Sequence, residues 1–310
     1  MKRIIFFVIC SIFIWQYSYA QLGTHWKKIR HEVMFGVGTS NFMGELGGAN
    51  RAGSKFVRDF EFKSTRPTFH VGYRYKLTES WAVKAGLFYG WVHGDDSFSI
   101  PDENAVVHPE NERFYRNLHF RSPIVELTAN IEYSIIEERY GHRYDLRRVK
   151  GKANKPNLYV FTGISAFYFN PKAVWPEEEG GDGKWHALQP LGTEGQGIVP
   201  TREKYNRIAV AIPVGVGLTY LLNRYWAVGF ELGARYTFTD YIDDVSTTYV
   251  DPSIFDDPMA AYYSDPSLPG WQGSAARNQR GDNISNDFYM FLTINASYKI
   301  RPRYKGAAKF

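Results

Sequence analysis

The sequence predicts an all-β fold, an eight-stranded antiparallel transmembrane β-barrel with long extracellular loops. Aromatic residues make up 17% of the 310-residue chain, yet its mean hydropathy is only −0.37. Eight segments alternate apolar with polar or small residues, which is the two-residue period of a β-strand. After the N-terminal region, no segment approaches the roughly 18 consecutive apolar residues of a transmembrane helix. These observations exclude a helical membrane protein.

Residues 1–20 have the pattern of a secretory signal peptide. Lys2 and Arg3 precede an apolar run, residues 4–15, that is too short to span a bilayer, and the small residue Ala20 precedes a predicted cleavage site. The mature chain, residues 21–310, is predicted to form a single barrel domain with short basic periplasmic termini.

The one cysteine, Cys10, lies inside the signal sequence and follows Ile9, so its sequence context does not favour a lipid-anchored cysteine. The mature chain therefore contains no thiol. This excludes a disulfide framework, a thiolate metal site and a cysteine nucleophile, and the fold depends on packing and backbone pairing.

The eight predicted strands share a two-residue period that assigns a face to each side chain. In the second strand Phe69, Val71 and Tyr73 lie on one face, and His70 and Arg74 lie on the other. The face assignment of the fifth strand is ambiguous. The predicted strands are 31–38, 68–77, 81–91, 123–135, 157–169, 208–222, 226–236 and 288–298.

Aromatic spacing favours a membrane barrel over a soluble β-sandwich, which also alternates. Three aromatic pairs are ten residues apart on the apolar face: Trp81 with Trp91, Trp226 with Tyr236, and Phe288 with Tyr298. Ten residues of tilted strand rise about 25 Å, the height of the apolar band between the aromatic girdles of outer-membrane barrels. The opposite face carries charges of both signs, which we expect to pair inside a narrow lumen. These are Arg74, Lys76, Lys84, Glu126, Glu132, Glu231 and Arg235.

The connections alternate between long and short, which predicts the orientation. Long loops at 39–67, 92–120, 170–206 and 238–286 are expected outside the cell, with short turns at 78–80 and 223–224 and both termini in the periplasm. One inner connection, 136–156, is unexpectedly long. It is rich in cations, which we predict to be a partner-binding site: Arg139, Arg143, Arg147, Arg148, Lys150, Lys152 and Lys155.

This basic connection has two interpretations. It could rest against anionic phospholipid of the inner leaflet, because juxtamembrane cations are attracted to such a surface. It could equally steer and dock an acidic periplasmic protein. The last outer loop, by contrast, is rich in aspartate. Asp240, Asp243, Asp244 and Asp251 lack the glycine turn and final glutamate of a calcium loop, so a solvated or rim loop is expected.

No motif indicates catalysis or a cofactor. His119, Ser122 and Glu126 are close in sequence, but His119 is expected in a loop while the other two share a strand face. The glycine-rich run 192–197 lacks the ending of a phosphate-binding loop. The basic residues are not interleaved with stacking aromatics, so nucleic-acid binding is not indicated. No small-molecule substrate is evident. We therefore expect a protein that is not an enzyme and has neither a metal nor another cofactor.

Five connecting segments have distinctive sequences: NFMGELGGAN (41–50), NLHFRSP (117–123), GHRY (141–144), LQPLGTEGQG (188–197) and FTDYIDDVSTTY (238–249). These segments resemble those of the PorG family, outer-membrane barrel components of the type IX secretion system of the Bacteroidetes. The resemblance covers nearly the whole mature chain.

The resemblance implies association with the periplasmic ring of the PorK lipoprotein and PorN, and a role in exporting proteins that include virulence factors. An eight-stranded barrel has room only for side chains, so we expect an accessory that anchors or positions the ring rather than a conduit for cargo. Two alternatives remain open. One is an adhesin or structural barrel that acts through its extracellular loops, and the other is an enzyme that modifies outer-membrane lipids.

Overall fold

Eight long strands close into an antiparallel barrel, which confirms the predicted fold class. The computed structural model of the chain describes residues 29–44, 46, 62–98, 114–138, 156–223, 225–269, 271, 273–281 and 285–300. The barrel strands are β1 (His31–Met43), β2 (Arg66–Lys76), β3 (Trp81–Asp95), β4 (His119–Ile136), β5 (Asn157–Phe169), β8 (Ile208–Leu221), β9 (Trp226–Thr237) and β10 (Phe288–Ile300). A hairpin of β6 (Lys172–Val174) and β7 (Trp185–Ala187) precedes β8. The predicted signal peptide lies outside the described residues.

Each barrel strand pairs with its two neighbours around the ring. The order is β3-β2-β1-β10-β9-β8-β5-β4, and pairing of β3 with β4 closes it. The first and last strands, β1 and β10, are paired along thirteen residues from His31–Ile300 to Met43–Phe288. Closure leaves no strand edge, so the backbone groups of the wall are paired within the sheet, as a hydrocarbon environment requires.

Connections between strands divide the barrel into two ends. The short-turn end carries the tight turn between β2 and β3, and the long-loop end carries the connections before β2, β4, β8 and β10. Helix α1 (Pro258–Ser264) lies in the last of these connections. Within the described part of the chain, no helix is long and apolar enough to cross a membrane.

Several strands continue beyond their predicted bounds at the long-loop end. The sequence predicts that β1 ends at residue 38 and that β4 starts at residue 123, whereas β1 reaches Met43 and β4 starts at His119. The extra residues include Thr39, Asn41 and Arg121. Because these are polar, the apolar alternation stops there, but backbone pairing does not depend on side-chain polarity and the ladder continues.

The outer face of the barrel is apolar, as the two-residue period predicts. Leu127 is 63% exposed and Phe230 53% exposed, whereas the neighbouring inward residues Glu126 and Glu231 are 0% and 4% exposed. A closed sheet that turns its apolar side chains outward and its charges inward is the arrangement of a membrane barrel rather than of a soluble sandwich.

Aromatic side chains surround both ends of the apolar belt. At the short-turn end the ring centroids of Trp81 and Tyr133 are 4.8 Å apart, and at the long-loop end those of Tyr236 and Phe288 are 5.0 Å apart. Such rings occupy the interface between hydrocarbon and water. With the apolar belt between them, they identify an outer-membrane β-barrel.

The ambiguous fifth strand turns aromatic residues into the lumen. Tyr159, Phe161 and Phe167 of β5 are at most 3% exposed, while Val160 and Ile164 face outward. Both faces of β5 are therefore largely apolar. Hydrophobic periodicity alone cannot assign such a strand.

The lumen is filled by a network of buried ion pairs. Arg74 contacts Glu32 at 3.1 Å and Glu132 at 2.6 Å. Lys84 contacts Glu132 at 3.0 Å and Glu231 at 2.6 Å, and the Tyr159 hydroxyl donates to Glu231 over 2.9 Å. The network connects β1, β2, β3, β4, β5 and β9, so it holds the wall together from within.

A second group lies closer to the long-loop end. The Arg235 guanidinium donates to both oxygens of Glu126 at 3.2 Å, and the Tyr289 hydroxyl donates to the same carboxylate over 2.8 Å. The guanidinium carbon also lies 4.8 Å from the Phe88 ring centroid and 4.5 Å from that of Phe291. This arrangement is a buried charge pair with cation–π support.

The lumen charges balance. The acidic and basic side chains that meet in ion pairs inside the described barrel are Glu32, Glu126, Glu132, Glu138 and Glu231 with Arg74, Lys76, Lys84, Arg235 and Lys299. These groups comprise five of each sign. The predicted pairing of opposite charges in the lumen is therefore confirmed.

The balance yields a first prediction. Glu231→Leu removes one of the two carboxylates that contact the buried Lys84. The loss should lower the free energy of unfolding by about 3–5 kcal/mol. Lys84→Met combined with Glu231→Leu should lower it less, because the pair is removed together. Urea unfolding in phospholipid vesicles, followed by tryptophan fluorescence, measures both. Equal losses in the single and double variants would contradict the network.

Candidate functional site

The predicted partner-binding cations, from Arg139 to Lys155, lie outside the described residues. The chain on both sides of them is described, because β4 is followed by Glu137 and Glu138 and β5 begins at Asn157. The described residues of the short-turn end hold the start and the end of this basic connection.

Glu138 joins the start of the basic connection to the ion-pair network of the lumen. Lys76 contacts the Glu138 carboxylate at 2.8 Å and Lys299 also donates to it, while the same two cations contact Glu32 at 3.4 Å and 3.5 Å. Burial alone would raise the pKa of Glu138, but the charges of Lys76 and Lys299 outweigh it and lower that pKa. Glu138 is thus held as a carboxylate between two strands that are neighbours of β1.

One further contact and one buried side chain complete what we call the fixed base, the described residues Glu137, Glu138 and Asn157. The Ser80 hydroxyl, in the turn between β2 and β3, donates to Glu137 over 2.5 Å, and Asn157 at the far side of the connection is only 7% exposed. The sequence indicates Glu137 and Glu138 only as acidic members of the basic segment. A β-bulge between Ser134 and Ile136 interrupts the alternation of β4, so the two-residue period gives no signal that Glu138 turns inward.

The long-loop end is covered by a folded cap, which we define as the described residues of 96–118, 170–207 and 238–287. Its apolar core is continuous with the top of the lumen. Ile242 and Val245 of the last loop pack in one cluster with Phe120 and Phe291 of the barrel strands. Because the loops share this core, their described residues form one packed unit instead of separate loops.

Asp96 and Arg116 join the two ends of the connection between β3 and β4. The guanidinium donates through Nε and Nη2 to the two carboxylate oxygens at 2.8 Å and 2.9 Å, a bidentate pair. Its Nη1 also donates to the backbone carbonyl of Arg280 over 3.1 Å. The pair therefore connects this loop to the last loop.

Glu194 organises the glycine-rich run 192–197. Its carboxylate accepts hydrogen bonds from the backbone N–H groups of Ser246 and Thr247 at 3.0–3.2 Å and from Arg280 at 3.1 Å. Three residues of the run have a positive φ: 66° at Gly192, 80° at Gly195 and 82° at Gly197. Glycine adopts this left-handed conformation without strain, which explains why it occupies these positions. The run is a structural tie between two loops. Sequence reasoning missed it, because Glu194 and Arg280 are far apart in the chain.

Of the expected solvated or rim loop, the solvated alternative is wrong for three of the four aspartates. Asp240, Asp243 and Asp244 are 8%, 1% and 1% exposed, and only Asp251 is exposed. Asp243 accepts from the backbone N–H groups of Leu46 and Val245. Asp243 and Asp244 thus accept hydrogen bonds from other loops instead of facing water.

Asp244 has a pKa suited to a pH response. Its two carboxylate oxygens accept from Tyr205 and Thr193, both at 2.5 Å. Burial raises the pKa of Asp244 to about 6, although the charge of Arg280 and these two hydrogen bonds work in the opposite direction. The neighbouring charge of Glu194 adds to the increase.

His119, Ser122 and Glu126 do not converge. Ser122 and Glu126 share the inward face of β4, as predicted, and both are 0% exposed. The expectation that His119 lies in a loop is wrong, because it is the first residue of β4. Its Nε2 accepts from the backbone N–H of Val174. Glu126 is occupied by Arg235 and Tyr289 in the lumen.

Comparison with family models finds one match. A model described as a domain of unknown function, DUF6089, matches residues 197–251. This segment includes β8, β9 and the start of the last loop, and it is too small a part of the chain to assign the whole protein to that family. No match to a curated protein was found.

Solved structures give weak similarities to outer-membrane proteins. Ail of Yersinia pestis is 11% identical, with 88% of this chain and 99% of that chain covered and a TM-score of 0.35. Neisserial surface protein A is 8% identical, with 87% and 97% covered and a TM-score of 0.35. A major outer membrane protein of Thermus thermophilus is 13% identical, with 87% and 99% covered and a TM-score of 0.36. None is close enough to indicate a shared activity.

The raised pKa of Asp244 predicts a cap that is more stable in acid. Because the folded pKa lies above the unfolded value, this group contributes stability that is fully present below about pH 4 and is lost as the pH rises through about 6. The shift corresponds to about 3 kcal/mol. Hydrogen exchange at Val245 and Ser246, corrected for intrinsic rates, should show greater protection at pH 4.5 than at pH 7.5.

Asp244→Asn should remove most of this pH dependence, and the exposed Asp256→Asn serves as the matched control. The same pH dependence in both variants would show that another group is responsible.

Proposed function

We propose that this outer-membrane barrel is a non-enzymatic component of the type IX protein secretion system that anchors or positions the periplasmic ring of PorK and PorN and is required for protein export. The main support for the proposal is that side chains fill the lumen. Lys84, Glu126 and Lys299 are at most 1% exposed, so folded cargo has no path through this barrel. A barrel of this kind acts through its ends.

The fixed base at the short-turn end supports a docking role. Glu138 is held by Lys76 and Lys299, and Asn157 is buried on the other side. The basic connection between them therefore starts and ends at defined positions on the barrel. A segment with fixed ends loses less conformational entropy on binding than a free tail does. Its seven cations suit an acidic protein surface, and the loop resemblance to the PorG family supplies the proposed partner.

Charge reversal of the connection tests the proposal. Arg143→Glu, Arg147→Glu, Arg148→Glu and Lys150→Glu together should abolish co-purification of the PorK and PorN ring proteins. The reason is that a repulsive surface replaces an attractive one. The barrel itself should still show heat-dependent mobility on gels, because the lumen network is untouched.

A matched control reverses four cations at the long-loop end: Lys63, Lys184, Lys204 and Arg277, all exposed. It should leave the ring attached. Retention of the ring by both variants would contradict the proposal. Loss of bound inner-leaflet phospholipid from the first variant, with the ring still attached, would assign the connection to lipid instead.

The folded cap favours a second candidate function, an adhesin or structural barrel acting through its extracellular surface. Ile198 and Ile254 are 48% and 37% exposed on the cap although its core is well packed. Ile198→Ser with Ile254→Ser should then reduce attachment of bacteria to a host-cell or matrix surface and leave export unchanged. Loss of export with intact attachment would favour the secretion role instead.

A further inference from the structure

A row of basic side chains lies around one side of the barrel at the long-loop end. Arg66 starts β2, Arg121 is the third residue of β4, Lys172 starts β6 and Arg207 directly precedes β8. We call these four residues the basic row. They lie along the contiguous part of the ring that runs from β2 through β3, β4 and β5 to β8. Arg66 shares the inward side of β2 with Thr68 and His70, so it joins the row from the rim of the barrel mouth and not from the outward face.

The side chains of Arg121 and Lys172 project to the same side. They are direct partners in the pairing of β4 with β6, and directly opposite residues have Cβ atoms about 4.5–5.5 Å apart. Arg121 lies four residues before Val125 on β4, so the two side chains are on the same face of the strand. Val125 faces outward and is 39% exposed. Two like charges are therefore opposed on the outer side of the wall, an arrangement that is unfavourable without an anion between or beside them.

Neutral groups hold the arginines in place. The Arg121 guanidinium carbon lies 4.2 Å from the Trp185 ring centroid. Arg207 lies over Tyr168 at 5.9 Å and donates to Asn170 Oδ1 at 3.3 Å. Arg66 donates to the backbone carbonyls of residues 63 and 65 at 2.8 Å and 2.9 Å. These contacts fix the guanidinium planes without neutralising their charge.

Acidic partners are sparse around the row. Within the described chain, none of its four cations makes an ion pair within 4.0 Å. Asp95 and Arg121 act on Arg66 with opposite electrostatic sign, so the Asp95 carboxylate, which also accepts from the backbone N–H of Ser97, offsets part of the charge of the row. The acidic residues of the β6–β7 hairpin, Glu177–Glu179, lie at its tip, whereas Lys172 lies at its base. The row is thus positively charged overall.

The depth of the row corresponds to the membrane surface. Arg207 lies over Tyr168, an outward aromatic residue of the upper girdle, and precedes Ile208, which is 62% exposed on the apolar belt. Girdle aromatics occupy the level of the lipid headgroups. A guanidinium group at this level is within reach of headgroup phosphates.

We propose that the basic row binds phosphate groups of lipid headgroups in the leaflet at the long-loop end, which is the outer leaflet in the predicted orientation. Arginine forks match phosphate oxygens bidentately, and a bound phosphate relieves the opposition of Arg121 and Lys172. The site lies at the other end of the barrel from the proposed ring-docking segment and is independent of that function.

Native mass spectrometry of the purified barrel in an uncharged detergent tests this site. The probe is bis-phosphorylated lipid A, compared with the same lipid after its phosphates are removed. Arg66→Gln, Arg121→Gln and Arg207→Gln together should weaken binding of the phosphorylated lipid at least about tenfold. The control Lys184→Gln, Lys204→Gln and Arg277→Gln removes the same charge from exposed sites elsewhere and should bind like the unchanged protein. Added salt should weaken binding to the unchanged protein.

Three results would overturn the proposal: equal binding by the triple variant and its control, equal binding of the dephosphorylated lipid, or displacement of the lipid by a soluble heparin fragment at the same concentration. The last would assign the row to soluble polyanions.

Heat-dependent gel mobility checks that each variant is folded. If the triple variant fails this check, Lys172→Gln replaces it and should weaken binding about threefold, because it removes one charge and no hydrogen bond of the described structure.

Discussion

The structure depends on the requirement that buried charges inside a narrow barrel neutralise one another. An eight-stranded wall leaves space for side chains but not for a water-filled channel, so Arg74, Lys84 and Arg235 must find carboxylates across the lumen. Glu32, Glu132, Glu231 and Glu126 supply them. Because the described interior is filled in this way, it leaves no path through the barrel for a folded protein.

The two ends are built by different means. At the long-loop end, buried pairs such as Glu194 with Arg280 connect loops that are distant in sequence, and an apolar core continues from the lumen into the cap. At the short-turn end, one carboxylate, Glu138, continues the lumen network to the start of the basic connection. In the described residues, both ends are therefore extensions of the barrel interior.

The sequence predicts the wall more accurately than it predicts the ends. Strand faces follow from a local two-residue period, so the outward position of Leu127 and the inward position of Glu126 could be deduced directly. Phe161 and Phe167 could not be assigned, because both faces of β5 are apolar. The burial of Asp243 and Asp244, and the tie of Glu194 to Arg280, depend on contacts between separate loops. Nothing in the local pattern of any one loop encodes such contacts.

The position of Glu32 has a consequence for assembly. It lies on the first barrel strand, and its cation partners Lys299 and Lys76 lie on the last strand and on the second. The seam between β1 and β10 thus carries part of the charge network in addition to its backbone pairs. Until the C-terminal strand is inserted, Glu32 lacks one of its counter-charges and the mouth of the lumen stays open to water. Closure should be cooperative, with the last strand completing both the hydrogen-bonded ring and its electrostatic neutrality in one step.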